Sequence, residues 1–194
     1  MTKLIALVAL CTVVVGCAPS YTLVTSKPAT VARNTIKVTP AVAWNKAPKS
    51  PFDIAWEENW TANGALLDRV TFIGGLPNGQ AIVKQHKKAD RQVPVFRATM
   101  SPQDLVAMIE TYHRIRDGAT VFVTTRVEPT TFLGVPGLRF DYTFVGADEV
   151  RRRGQTILAV KNDKFYMMAL DGAAIHYFDA ALIDFSAMAA TARL

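Results

Sequence analysis

Apolar residues fall into a run at the start of this chain and into periodic patterns further along. Leu4 to Val15 is almost wholly apolar, behind a single basic residue at Lys3. That run is shorter than the roughly 20 residues a membrane-crossing helix needs, and it has the form of a secretory signal. Thr35 to Thr39 alternates, which predicts the first strand, stopped by Pro40. The stretch to about residue 54, with Trp44, Pro48, Pro51 and Phe52, reads as a loop. Trp56–Thr61 and Leu66–Ile73 flank Asn63-Gly64, the dipeptide suited to the positive φ angles of a type I′ hairpin. Gly74 to Pro94 has no clear period, and Val95–Ala98 reads as a short strand.

Ser101-Pro102-Gln103-Asp104 is the clearest helix start: a hydroxyl to cap, a proline for the first turn, and an acid for the positive end of the dipole. Leu105, Met108, Ile109, Tyr112 and Ile115 then recur on one helical face, and Gly118 supplies a stop. Four strand patterns follow, at 120–128, 138–146, 149–161 and 164–171, the last two joined through Asn162-Asp163. Phe165 to Leu170 is apolar at every position, which predicts a strand covered on both faces. Phe178, Leu182, Phe185, Ala189 and Ala192 form the stripe of a closing helix. One helix before the strand run and one after it predict an α+β fold, an α/β/α sandwich around a mainly antiparallel sheet, as a single domain over 34–194.

The end of the apolar run, Val14-Val15-Gly16-Cys17, resembles the lipobox of bacterial lipoproteins. The resemblance implies a signal peptide over 1–16, cleavage before Cys17 and lipid on its sulfur. Ala18 at the second mature position resembles the pattern sorted to the outer membrane, facing the periplasm. Residues 17–33, rich in Ser, Thr, Pro and Ala, are expected to be a flexible tether. Cys11 leaves with the signal and Cys17 takes lipid, so the mature domain is expected to have neither a disulfide nor a thiolate metal site.

The formal charge of +6 changes meaning once it is mapped. All 16 acidic residues lie beyond residue 50, where 16 Lys and Arg balance them. Lys27, Arg33, Lys37, Lys46 and Lys49 sit unopposed near the anchor, where anionic headgroups attract them. A basic leash on a neutral domain argues for a membrane partner and against nucleic acid.

The order of elements resembles the PsbP-like fold: early strand, Trp44 loop, hairpin, proline-started helix, strand run, closing helix. This resemblance spans about residues 35–194. It implies an accessory or interaction protein, because that fold includes a thylakoid accessory protein and small bacterial envelope lipoproteins.

Reactive chemistry finds little footing. His86, His113 and His176 are far apart and form no HExxH pair, and they read as surface or half-buried imidazoles. Gly74 to Gly79 has the glycines of a phosphate loop, but Gln80-Ala81 replace its Lys and Ser/Thr. Glu57 and Glu58 adjoin on a strand and point to opposite faces. Arg151-Arg152-Arg153 reads as a solvated strand edge. No catalytic residue, metal ligand or cofactor site is expected. The best candidate contact is the basic loop with Lys84, His86, Lys87, Lys88 and Arg91, suited to steering an acidic envelope protein partner or to lying on anionic headgroups, the alternative being an ordinary solvated loop. The expected role is a lipid-anchored envelope accessory or binding protein. The alternatives are an enzyme acting on an envelope substrate and a structural protein contacting peptidoglycan.

Overall fold

A computed structural model describes residues 20–85 and 92–194. Its strands are β1 (Thr22–Val24), β2 (Ala29–Val31), β3 (Ile36–Val38), β4 (Trp44–Lys46), β5 (Glu57–Thr61), β6 (Asp68–Pro77), β7 (Val121–Phe132), β8 (Val135–Val145), β9 (Arg151–Lys161) and β10 (Lys164–Ala173). Its helices are α1 (Pro102–Arg116) and α2 (Tyr177–Thr191). Eight strands form one sheet in the order β1-β4-β5-β6-β10-β9-β8-β7, every pairing antiparallel, and β2 and β3 pair separately.

Alternation along β10 divides the interior. Phe165, Met167 and Ala169 join a cluster with Leu105, Met108, Ile109 and Tyr112 of α1. Tyr166, Met168 and Leu170 join the opposite cluster, with Phe178, Ala181, Phe185 and Met188 of α2 and with Val31, Ile36 and Val38 of the small sheet. The two helices therefore lie on opposite faces, which makes the predicted sandwich. β10 needs apolar residues at every position because both of its faces are covered.

Several local expectations are corrected. Residues 17–33 are not a flexible tether throughout, since β1 and β2 lie inside that span and Val31 is fully buried. Strands of three residues are too short for a period to show, and serine and threonine masked them. The strand read at 35–39 is therefore the third, β3. Asn63-Gly64 does not make a two-residue turn: β5 ends at Thr61 and β6 begins at Asp68. The Asp68 carboxylate holds that longer loop, accepting from Thr61 Oγ1 at 2.7 Å, Ala62 N at 2.7 Å and Asn63 N at 3.2 Å. β6 runs past Gly74 to Pro77 through a bulge opposite Tyr166, and Gly75 supplies its φ of +69°.

β7 continues across Pro129, which an edge strand tolerates, to Phe132, and Leu133 and Gly134 make a tight turn with φ of +53° and +74°. Asn162 and Asp163, with φ of +51° and +56°, form the predicted hairpin turn. Val95 makes only an isolated bridge to Ala81. Arg151–Arg153 is not a sheet edge, because β9 lies between β10 and β8. Arg152 and Arg153 are instead paired to Asp148 and Asp179.

Candidate functional site: a charged cleft beside the end of α1

Helix α1 begins as its sequence dictates. Asp104 N donates to Ser101 Oγ at 3.2 Å, and Ser101 N donates to the Asp104 carboxylate at 3.0 Å, closing a capping box. Fifteen residues later the helix ends with His113, Arg114 and Arg116 in its last turn and Asp117 at the C-cap. Basic groups suit that negative end, and an acid does not. Asp117 is held there by Arg69 of β6, which donates to both carboxylate oxygens at 2.9 and 3.0 Å, and by His113 Nδ1 at 2.8 Å.

Strand register brings the other partners together. Tyr142 on β8, Gly154 on β9, Asp171 on β10 and Arg69 on β6 lie in one cross-strand row. Glycine in that row is a steric requirement. A Cβ at Gly154 would lie 2.2 Å from the Tyr142 ring, so the ring occupies the place of a side chain. Tyr142 thereby reaches across β9 and donates its hydroxyl to Asp171 Oδ1 at 2.7 Å. Asp171 Oδ2 accepts from Arg69 at 3.0 Å, and His113 Nε2 lies 3.1 Å from the Tyr142 oxygen. His113, predicted at or near the surface, is fully buried, between Tyr112, Phe122, Tyr142 and Phe144.

Burial pushes the Asp117 carboxyl up. The Arg69 charge outweighs this and, with the His113 contact, holds the group well below the usual carboxylate range. Burial likewise works against the Arg69 cation, yet Asp117 and Asp171 keep its pKa above the ordinary value. Burial, followed by the Asp171 charge, raises the Tyr142 phenol, so Tyr142 acts as a hydroxyl donor.

A second cluster adjoins through α1. Glu57 Oε1 is 2.7 Å from Arg116 and accepts from Asn59 at 2.9 Å, and Arg116 also donates to Asp53 at 3.0 Å. Burial raises the Glu57 carboxyl against the pull of Arg116. Glu58 points the other way, as strand alternation predicts, and pairs with Lys46 at 3.0 Å.

Arg69, Asp117 and Asp171 line a cleft of about 230 Å³, together with Leu66, Asp148 and Arg152 at its mouth. Arg152 donates to both oxygens of Asp148 at 2.6 and 2.8 Å and to Leu66 O at 3.0 Å. The hydrogen bonds from Arg152 bring the Asp148 carboxyl down to about 2. Leu66 itself is largely exposed, 75% of its surface being free. The cleft thus has a polar floor whose charges are paired and an apolar lip that is open.

Solved structures with this arrangement of strands exist. The solution structure of cyanobacterial PsbP (CyanoP) from Synechocystis sp. PCC 6803 superimposes with a TM-score of 0.57 at 13% identity, covering 93% of this chain and 95% of that one. The fold is PsbP-like. No family model and no curated protein matches the chain in sequence. The likeness therefore concerns the PsbP-like architecture and carries no residue roles with it.

Few of the residues singled out in the sequence lie at this cleft. Cys17, His86, Lys87, Lys88 and Arg91 lie outside the described residues. Lys84 is away from the cleft, and its ammonium donates to Pro51 O at 2.7 Å. The base of its loop is held by Ile82 N to Pro94 O at 3.0 Å and Phe96 N to Gln80 O at 2.9 Å, with Ile82, Val83 and Phe96 in the core. His176 is exposed at the start of α2. The Arg69–Asp117–His113–Tyr142–Asp171 network was missed. Two signals pointed to it: a histidine on the apolar face of α1 four residues before an acid, and a lone glycine inside a strand pattern.

Proposed function

We propose that the chain is lipidated at Cys17 and acts as a membrane-anchored accessory or binding protein of the bacterial cell envelope, on the periplasmic side of the outer membrane. The observation that carries this reading is the mutual pairing of the cleft's charges. Arg69, Asp117, Asp171 and Tyr142 bond to one another, and Arg152 bonds to Asp148. The network braces the end of α1 against three strands, and its carboxylates are taken up by Arg69, His113 and Tyr142, with Arg69 Nε left unbonded. An acid or base serving a substrate has to meet it, whereas the His113 side chain is 1% exposed. What remains at the surface is an apolar lip around Leu66 and Leu67, suited to contact. The lipobox supports the anchor, and the PsbP-like architecture supports an accessory role.

Two measurements test this. Cys17→Ser should leave a precursor that takes up no labelled fatty acid, and undiminished label in that variant refutes the anchor. A photo-crosslinking residue at Leu66 in intact cells should capture one envelope protein that the same residue at Glu110, on the exposed face of α1, does not. Equal capture at both positions refutes a binding role for the cleft.

A further inference from the structure

β1 begins at Thr22, only five positions after Cys17. An extended chain covers at most about 3.5 Å per residue, so five positions reach no more than roughly 18 Å. A domain of about 175 residues has a radius of gyration of about 16 Å. A lipid on Cys17 therefore holds the domain by one edge, on a leash comparable in length to the domain's own radius of gyration.

That edge has a distinct composition. β1 is a terminal strand of the eight-stranded sheet, and Tyr21 and Leu23 are 50% and 64% exposed along it. Val42, in the loop entering the neighbouring strand β4, is 51% exposed. Ser26 Oγ donates to Ala41 O at 3.0 Å, which ties the turn after β1 to this loop. Lys27 lies in that turn and Lys37 on β3, both exposed. The segment from 18 to 50, which supplies β1 and β4 of this edge and the separate β2–β3 pair, contains no acidic residue. Exposed aromatic and aliphatic groups flanked by Lys27, with the neighbouring Asp184 carboxylate buried and taken up by Ala41 N, Val42 N and Trp44 Nε1, match an anionic lipid surface in both polarity and charge.

We propose that the β1 edge, through Tyr21, Leu23, Val42 and Lys27, is the membrane-docking surface of the domain and lies on the anionic leaflet that holds the lipid. This rests on lipidation of Cys17. The β7 edge then faces away, seven strand spacings of about 4.8 Å or roughly 34 Å across the sheet.

The test uses the full chain, expressed with its own signal and extracted with its lipid. A fluorophore is placed at Leu23→Cys or, as a control on the far edge, at Val127→Cys. Each protein is reconstituted into phosphatidylglycerol–phosphatidylcholine vesicles with brominated acyl chains. Quenching at 23 should exceed that at 127 several-fold. It should fall by at least half with Lys27→Glu, or in phosphatidylcholine alone. Equal quenching at the two sites overturns the proposal, as does crosslinking of Leu23→Cys between copies without quenching. Mass analysis separates the failures: Cys17 without lipid removes both the anchor and the docking surface, and lipidated Cys17 with equal quenching removes only the surface. Unchanged thermal unfolding of the lysine variant confirms that quenching reports docking.

Discussion

Replacing Arg69 by Met removes the only cation that bonds to both Asp117 and Asp171 among the described residues, while keeping most of the side chain's length. The two carboxylates have side chains only 15% and 3% exposed, so water does not replace the guanidinium. Breaking such a pair by removing one partner costs about 3–5 kcal/mol. In a domain of this size each kcal/mol shifts Tm by about 2–4 °C, so Arg69→Met should melt roughly 6–20 °C lower at pH 7. The pH dependence sharpens the test. In the native protein Asp117 is held below its ordinary value, so its contribution is present above the unfolded pKa of about 3.9 and is lost as pH falls. In the variant burial acts on Asp117 without Arg69, its folded pKa rises, and acidification restores stability. The difference between the proteins should therefore narrow between pH 7 and pH 4.5. Urea unfolding followed by the fluorescence of Trp44, Trp56 and Trp60 measures it. Arg114→Met, which breaks an exposed pair with Glu110, is the control and should cost about 0.5 kcal/mol or less. A loss below about 1 kcal/mol for Arg69→Met at pH 7, or a gap that stays constant with pH, would refute this account.

Gly154→Ala sets a methyl against the Tyr142 ring and should cost about 1–3 kcal/mol by overpacking, with loss of the Tyr142–Asp171 bond; thermal unfolding equal to the native protein's would show that the ring is not confined. Asp184→Ala removes the acceptor for Ala41 N, Val42 N and Trp44 Nε1, the last at 2.5 Å, and should cost about 2–4 kcal/mol while shifting Trp44 emission; an unchanged spectrum contradicts that anchoring. Ser101→Ala opens the capping box of α1 and should cost about 1 kcal/mol in urea unfolding, with Ser101→Asn restoring most of it; no difference between the two replacements counts against a capping role.

The parts of the fold legible in the sequence are those where local chemistry and burial agree. Ser101, Pro102 and Asp104 announced α1, and the alternation of Leu138, Phe140, Tyr142 and Phe144 announced the face of β8 that packs beneath it. Where local and tertiary demands part, the reading failed. The strand pattern read at 120–128 stopped before Pro129, yet β7 runs on to Phe132, because an edge strand can dispense with the N–H that proline lacks. Gly74 suggested a loop, yet a Cβ there would lie 2.0 Å from Thr35 Oγ1, so the glycine admits the β2–β3 turn against β6. β1 and β2 are too short to show a period and exist because β4 and β3 offer partners. The cleft was illegible for a related reason. Its residues come from β6, α1, β8 and β10, and only strand register places 69, 142, 154 and 171 in one row. Taken singly, each is an ordinary polar or small residue in an ordinary strand.

The place of β10 has a consequence for how the chain is made. β10 is the last strand in sequence and sits in mid-sheet, bonded to β6 on one side and β9 on the other. Until residues 164–173 have left the ribosome, β1, β4, β5 and β6 form one half-sheet and β7, β8 and β9 another, each with an open inner edge. Joining them closes a loop of about a hundred residues, because Val70 pairs with Leu170. Pairings of such long sequence separation form slowly. The sheet of this protein therefore stays unlocked until residues 164–173 have been made. The same delay leaves the inner edges of β6 and β9 unpaired, the kind of edge at which unfinished chains pair wrongly.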